Sequence, residues 1–87
     1  MSALDNLDRV TLAQVEHLRY AIAVAGLTGT VPVSLVPDDT PYIQLRNGLQ
    51  LCAETSGRFD LWRNEYEITR AGLTLTEAVA LLKEQTP

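Results

Sequence analysis

The chain holds one histidine, His17, and one cysteine, Cys52. A general base needs a nucleophile or a second acid beside it, and nothing in the sequence nominates one for His17. One imidazole with one thiol is also too few soft ligands for a tetrahedral zinc site. Strand parity sets Cys52 opposite Asp60, where a carboxylate disfavours the thiolate a nucleophile needs. Glu54, Asp60 and Glu67 fall by the same parity on one sheet face. Paired carboxylates do acid–base work where a cleft perturbs their pKa values, whereas a solvated face interleaved with Arg46 and Arg58 predicts ordinary cross-strand charge pairing. Asp38 and Asp39 sit in a proline-bounded turn without the run of oxygen ligands a hard cation requires. The expectation is a protein that is not an enzyme and takes neither metal nor cofactor.

Trp62 stands apart. Its neighbours Leu61 and Arg63 have the opposite parity, and Leu61 belongs to the apolar set, so Trp62 is expected to point outward. Gln50 and Glu67 should lie beside it, among Arg46, Arg58 and Asp60. Tryptophan and arginine are the residue types enriched at binding hot spots. The plainer reading is a surface tryptophan blanketed by the aliphatic stems of its neighbours, and a third is a face that packs on its own copy.

These residues must be carried by regular elements, and the patterning supplies them. Leu12, Val15, Leu18, Ile22 and Ala25 recur at spacings of three and four, which predicts a helix over about 11–25. Thr11 and Gln14 match a capping box, Val10 and Val15 a hydrophobic staple, and Gly26 a left-handed stop. Residues 1–9 add a short turn or fray. Strands are expected at about 31–36, 41–46, 49–54, 58–63 and 66–70. Pro32 confines the first to an edge. A three-residue loop Arg46-Asn47-Gly48, a type I turn with a G1 bulge at Gly48, opposes Leu45 to Leu49 and Ile43 to Leu51. Thr55-Ser56-Gly57 likewise opposes Ala53 to Phe59, with Glu54 facing Arg58. An even-numbered loop at Asn64-Glu65 opposes Leu61 to Ile68. Thr74 and Glu77 then form a capping box for a helix over about 74–84, with Leu75, Ala78, Val79 and Leu82 on its apolar face and Lys83 in its last turn. The tetrapeptide Ala-Gly-Leu-Thr at 25–28 ends a helix, and its second occurrence at 71–74 begins one, so it is not a repeat.

The predicted fold class is α+β: a two-layer sandwich with an antiparallel β-meander of four to five strands and an N-terminal and a C-terminal helix packed on one face, in a single domain of residues 1–87. The net charge of −4 and pI near 4.7 argue against direct binding to nucleic acid or anionic membranes. No apolar run is long enough to span a bilayer, and the first residues lack the basic and apolar regions of a signal peptide. A lone cysteine excludes an internal disulfide; the expected setting is cytoplasmic. The order of elements, small size and acidity are similar in a general way to accessory proteins of bacteria and their phages. The function expected is that of a non-enzymatic module, an adaptor, inhibitor or immunity-type accessory protein, binding a protein partner through the outer sheet face. The site residues are Trp62, Arg46, Arg58, Gln50, Asp60 and Glu67. A structural homo-oligomer using that face or an edge strand, and an acidic inhibitor of a nucleic-acid-processing enzyme, are the alternatives.

Overall fold

The computed structural model describes residues 9–35, 40–64 and 67–85. Helix α1 (Arg9–Val24) is followed by strands β1 (Ser34–Leu35), β2 (Pro41–Gln44), β3 (Leu49–Ala53), β4 (Phe59–Arg63) and β5 (Glu67–Leu73), and then by helix α2 (Leu75–Gln85). The strands form one antiparallel sheet in the order β1-β2-β3-β4-β5, giving the α+β meander with terminal helices that the patterning predicts. Both helices bury their apolar stripes on the same sheet face. Leu18, Ala21 and Ile22 of α1 and Ala78 and Leu82 of α2 share a core with Ile43, Leu45, Leu51, Ala53, Phe59, Leu61 and Leu73. No helix among the described residues is long and apolar enough to cross a membrane.

The helix ends show the local chemistry. At the end of α1, Gly26 takes φ +77°, and the Leu27 N–H donates to the Ile22 carbonyl at 3.0 Å, as a left-handed stop requires. The described part of α1 starts at Arg9, two residues before Thr11, so Thr11 is inside the helix and does not cap it. Gln14 donates instead to the Ala53 carbonyl at 2.9 Å, tying α1 to β3. The expected staple fails as well: Val15 is buried but Val10 is 53% exposed. At α2 the capping box forms. Thr74 Oγ1 accepts from the Glu77 N–H at 3.2 Å, and Glu77 Oε1 accepts from the Thr74 N–H at 3.1 Å. That backbone bond and the Thr74 hydroxyl hold the Glu77 carboxyl below the usual glutamate range. Thr74→Ala removes one partner of the cap and should lower stability by about 1 kcal/mol, read as a fall of roughly 4–8 °C in the thermal midpoint; an unchanged midpoint would show that the cap contributes nothing.

Two of the three predicted hairpin registers hold. Ile43 lies opposite Leu51, and the Leu45 N–H donates to the Leu49 carbonyl at 2.8 Å. The loop itself differs from a type I turn. Asn47 (φ +60°) and Gly48 (φ +74°) are both left-handed, and an asparagine tolerates that region better than most residues. Ala53 lies opposite Phe59 across the 55–57 turn, with Gly57 at φ +93°. The third register is corrected. Trp62, not Leu61, lies opposite Ile68, and Arg63 lies opposite Glu67. The loop therefore has an odd number of residues, beginning at Asn64 (φ +51°), and Ile68 faces outward at 50% exposure. Glu67, sharing a face with Arg63, lies on the opposite side from Trp62.

Beyond Ile68 the pairing shifts twice, to Leu61 with Arg70 and Phe59 with Leu73. Each shift is a β-bulge, an extra residue that re-aims the side chains after it. The first brings Arg70 to the helix side, where its Nη2 meets Glu77 Oε2 at 2.9 Å. Thr69 Oγ1 donates to the Leu61 carbonyl at the irregularity. The second delivers Leu73 to the core opposite Phe59, while Arg70 occupies the position opposite Leu61 expected for Ile68. At the other edge, β1 comprises Ser34–Leu35 among the described residues. It joins the sheet through Ser34 opposite Tyr42 and Leu35 opposite Pro41. Val31 and Val33 pack against the core outside any strand. The Pro37-Asp38-Asp39 part of the expected turn lies outside the described residues, as do residues 65 and 66.

Candidate functional site

The sheet face away from the helices carries Tyr42 and Gln44 from β2, Gln50 and Cys52 from β3, Asp60 and Trp62 from β4 and Ile68 from β5. Alternation of side chains along each strand puts them there. No described helix packs over this face. Trp62 is half-buried between Gln50 and Ile68, its partners in register. Gln50 is 7% exposed although it lies on the open side. It is a central-strand residue flanked by two long neighbours, Gln44 and Trp62, and its Nε2 donates to Gln44 Oε1 at 3.5 Å. Gln44 in turn donates to the carbonyls of Leu45 and Leu49 at 3.0 and 3.1 Å. Trp62 thus stands in register beside an amide network that joins β3 to β2.

The residues predicted to surround Trp62 are divided by the register. Gln50 adjoins it, and Arg46, in the exposed turn before β3, lies toward the same end of the sheet. Asp60 and Arg58 lie at the other end, beside the β3–β4 turn. Glu67 is on the reverse face, and Ile68 takes the place expected for it, so the surroundings of Trp62 are more apolar than the sequence parity predicts.

At the Asp60 end the structure overturns the expectation of an ordinary charged face. Glu54 Oε2 accepts from the Gly72 N–H at 3.0 Å, and Asp60 Oδ1 approaches the same N–H at 3.4 Å. Gly72 is left-handed at φ +68°, and Arg58 Nη1 donates to its carbonyl at 3.1 Å. The second bulge of β5 presents this N–H to two carboxyl groups at once. Partial burial and the adjoining Glu54 push the Asp60 carboxyl up to about 6. Hydrogen bonds from Asp60, the Gly72 backbone and Ser56 hold Glu54 below its usual range. One carboxyl group donating to the other explains both directions. Cys52 lies opposite Asp60 as expected, and its thiol is pushed up to about 11, first by burial and then by the Asp60 charge. It is a thiol at neutral pH, not a nucleophile. No group of three or more histidine, cysteine and acidic side chains that could hold a metal ion occurs among the described residues.

His17 packs its ring on Phe59, with centroids 4.5 Å apart and planes at 54°. It lines a cavity between α1 and the β3–β4 turn together with Glu54. The Glu54 oxygens accept from the Ser56 hydroxyl and the Gly72 N–H. A further feature escapes the reading of α1 as a one-faced helix. Val10, Ala13, His17, Tyr20 and Val24 recur at spacings of three and four, a second stripe beside the buried one. Val10, Tyr20 and Val24 are 53%, 58% and 47% exposed. That spacing is legible in the sequence, but the richer stripe of Val15, Leu18 and Ile22 masks it.

Fold and site together define a small two-layer α+β protein with an open sheet face bearing one tryptophan. Comparison with known proteins finds no matching family model, no matching curated protein and no matching solved structure.

Proposed function

We propose that the chain is a non-enzymatic protein-interaction module, an adaptor, inhibitor or immunity-type accessory protein, that binds a protein partner through the outer sheet face around Trp62. The observation that supports this reading is the pairing of Trp62 with a half-exposed Ile68 on a face over which no described helix packs. Tryptophan is among the residue types enriched at the centres of binding patches, which are depleted in charge.

The sheet edges favour the face over strand addition. Edge strands that pair with other chains are long, flat and apolar. At one edge β1 has two residues among those described. At the other, β5 is interrupted by two bulges and carries Glu67 and Arg70. Both edges are blunted by devices that oppose pairing.

The test is affinity capture from source-organism lysate with wild-type protein, Trp62→Ala and Tyr20→Ser, each checked for folding, together with light scattering over a concentration series. A specific band held by wild type and Tyr20→Ser but lost from Trp62→Ala is expected. A band lost only from Tyr20→Ser would move the interface to the exposed stripe of α1 and sink the proposal. A wild-type dimer abolished by Trp62→Ala would replace the partner with a second copy. Capture of a basic enzyme of nucleic-acid metabolism, released steeply by salt, would favour the acidic-inhibitor alternative.

A further inference from the structure

A cavity of about 260 Å³ opens between α1 and the β3–β4 turn. On the helix side its apolar wall is Val10 and Ala13, with the His17 ring fixed against Phe59. On the turn side stands Gly57, whose φ of +93° and missing side chain leave the His17 edge uncovered; a Cβ there would sit 3.8 Å from His17 Cε1. The walls are therefore apolar or aromatic.

The polar groups at the rim are unequal. Gln14 spends an amide N–H on the Ala53 carbonyl. Glu54 spends its carboxylate on Ser56 and Gly72, and the Arg58 charge acts on it from close by. Arg9, by contrast, forms no ion pair among the described residues, where Arg70–Glu77 is the pair that occurs. Among the groups that line the cavity the Arg9 guanidinium is the one cation, suited to bidentate recognition of a carboxylate, with the Thr55 hydroxyl and the His17 imidazole beside it.

We propose that this cavity is a binding site for a small organic carboxylate with a flat apolar body, its ring against Val10, Ala13 and His17 and its carboxylate on Arg9. The volume lies just below the usual range for ligand pockets, which sets the ligand at the size of a single substituted ring. The site is separate from the face around Trp62 and does not depend on the interaction reading.

The experiment is an amide NMR titration of the full chain with three probes of one shape: benzoate, benzyl alcohol and benzylammonium. Benzoate should give saturable shifts at Ala13, His17, Thr55 and Gly57, with the neutral probe weaker and the cation not saturating. Arg9→Gln should weaken benzoate roughly tenfold, the loss of a charge-assisted bond. Ala13→Leu should abolish binding by filling the cavity from an exposed helix position that suits leucine. Trp62→Ala should bind benzoate as wild type does. Non-saturating benzoate shifts, equal responses to the three probes, or wild-type binding by Arg9→Gln or Ala13→Leu would each overturn the proposal. The probe comparison uses wild-type protein, so it decides the matter even where a variant fails to fold.

Discussion

Phe59→Ala should come close to unfolding the protein. Phe59 is fully buried at a point where three elements converge on its side chain. Ala53 of β3 and Leu73 of β5 lie opposite it on either side, and the His17 ring of α1 closes over it at 4.5 Å. Truncating a buried phenylalanine costs about 3–5 kcal/mol, because the transfer term is joined by the cavity left behind. A chain of this length has a total stability of roughly 4–13 kcal/mol, so the loss is a large share of it, with a fall of about 15 °C or more in the thermal midpoint. Urea denaturation followed by circular dichroism measures it. A loss under about 1 kcal/mol would mean that Phe59 is not the keystone its position implies. The same variant removes the support of His17 and should disorder one wall of the α1 cavity.

Asp60→Asn should stabilise the protein at neutral pH and change little in acid. Glu54 and Asp60 converge on one N–H, that of Gly72, and the folded Asp60 carboxyl holds its proton up to about pH 6, against an ordinary value of 3.8. A group whose folded pKa is raised contributes stability that is complete below its unfolded value and lost as pH rises through the folded one. Asp60 therefore favours the folded state below about pH 4, and that contribution disappears between about pH 4 and pH 6. Glu54, whose folded pKa is lowered, has the opposite sign: its contribution is present above its ordinary value of 4.5 and is lost on acidification. Asparagine keeps a donor for Glu54 at every pH and removes the second charge. Because Asp60 is only partly buried and solvent screens its charge, the gain at pH 7–8 should be on the order of 1 kcal/mol. Urea midpoints for both proteins from pH 4 to pH 8 should diverge as pH rises from about 4 to about 6 and keep a constant gap above that. A constant offset across the range, or a wild-type stability that climbs through pH 6, would show that the two carboxyl groups do not share a proton.

The parts of this protein readable from the chain are those set by neighbours in sequence. The Gly26 stop, the Thr74–Glu77 capping box and the 55–57 turn each depend on residues within four positions of one another, so local chemistry specifies them. Alternation along β2, β3 and the start of β4 likewise predicts which side chains share a face, and the two hairpin registers there follow from it. The α+β class comes from the same source, because two amphipathic helices and a run of alternating strands have few ways to bury their apolar faces together.

Tertiary structure decided the rest, above all in β5. Simple alternation places Ile68 inside and ends the strand near residue 70, before Leu73, but a strand can carry bulges without any fixed signature. Their cost is offset only by partners far along the chain: Glu77 for Arg70, Glu54 and Arg58 for Gly72, Phe59 for Leu73. None of those pairings is a neighbour relation in sequence. The convergence of Glu54 and Asp60 arises in the same way, since both carboxyl groups meet at the Gly72 N–H that a bulge exposes. The start of α1 belongs here too, because Gln14 reads as half of a cap by spacing and becomes a tie to β3 only once the sheet lies beneath it. The sequence by itself determined the class of fold, its local stops and most of its core. The folded chain decided which face Ile68 and Glu67 occupy, and what surrounds Trp62, because those depend on contacts that exist only after distant strands have met.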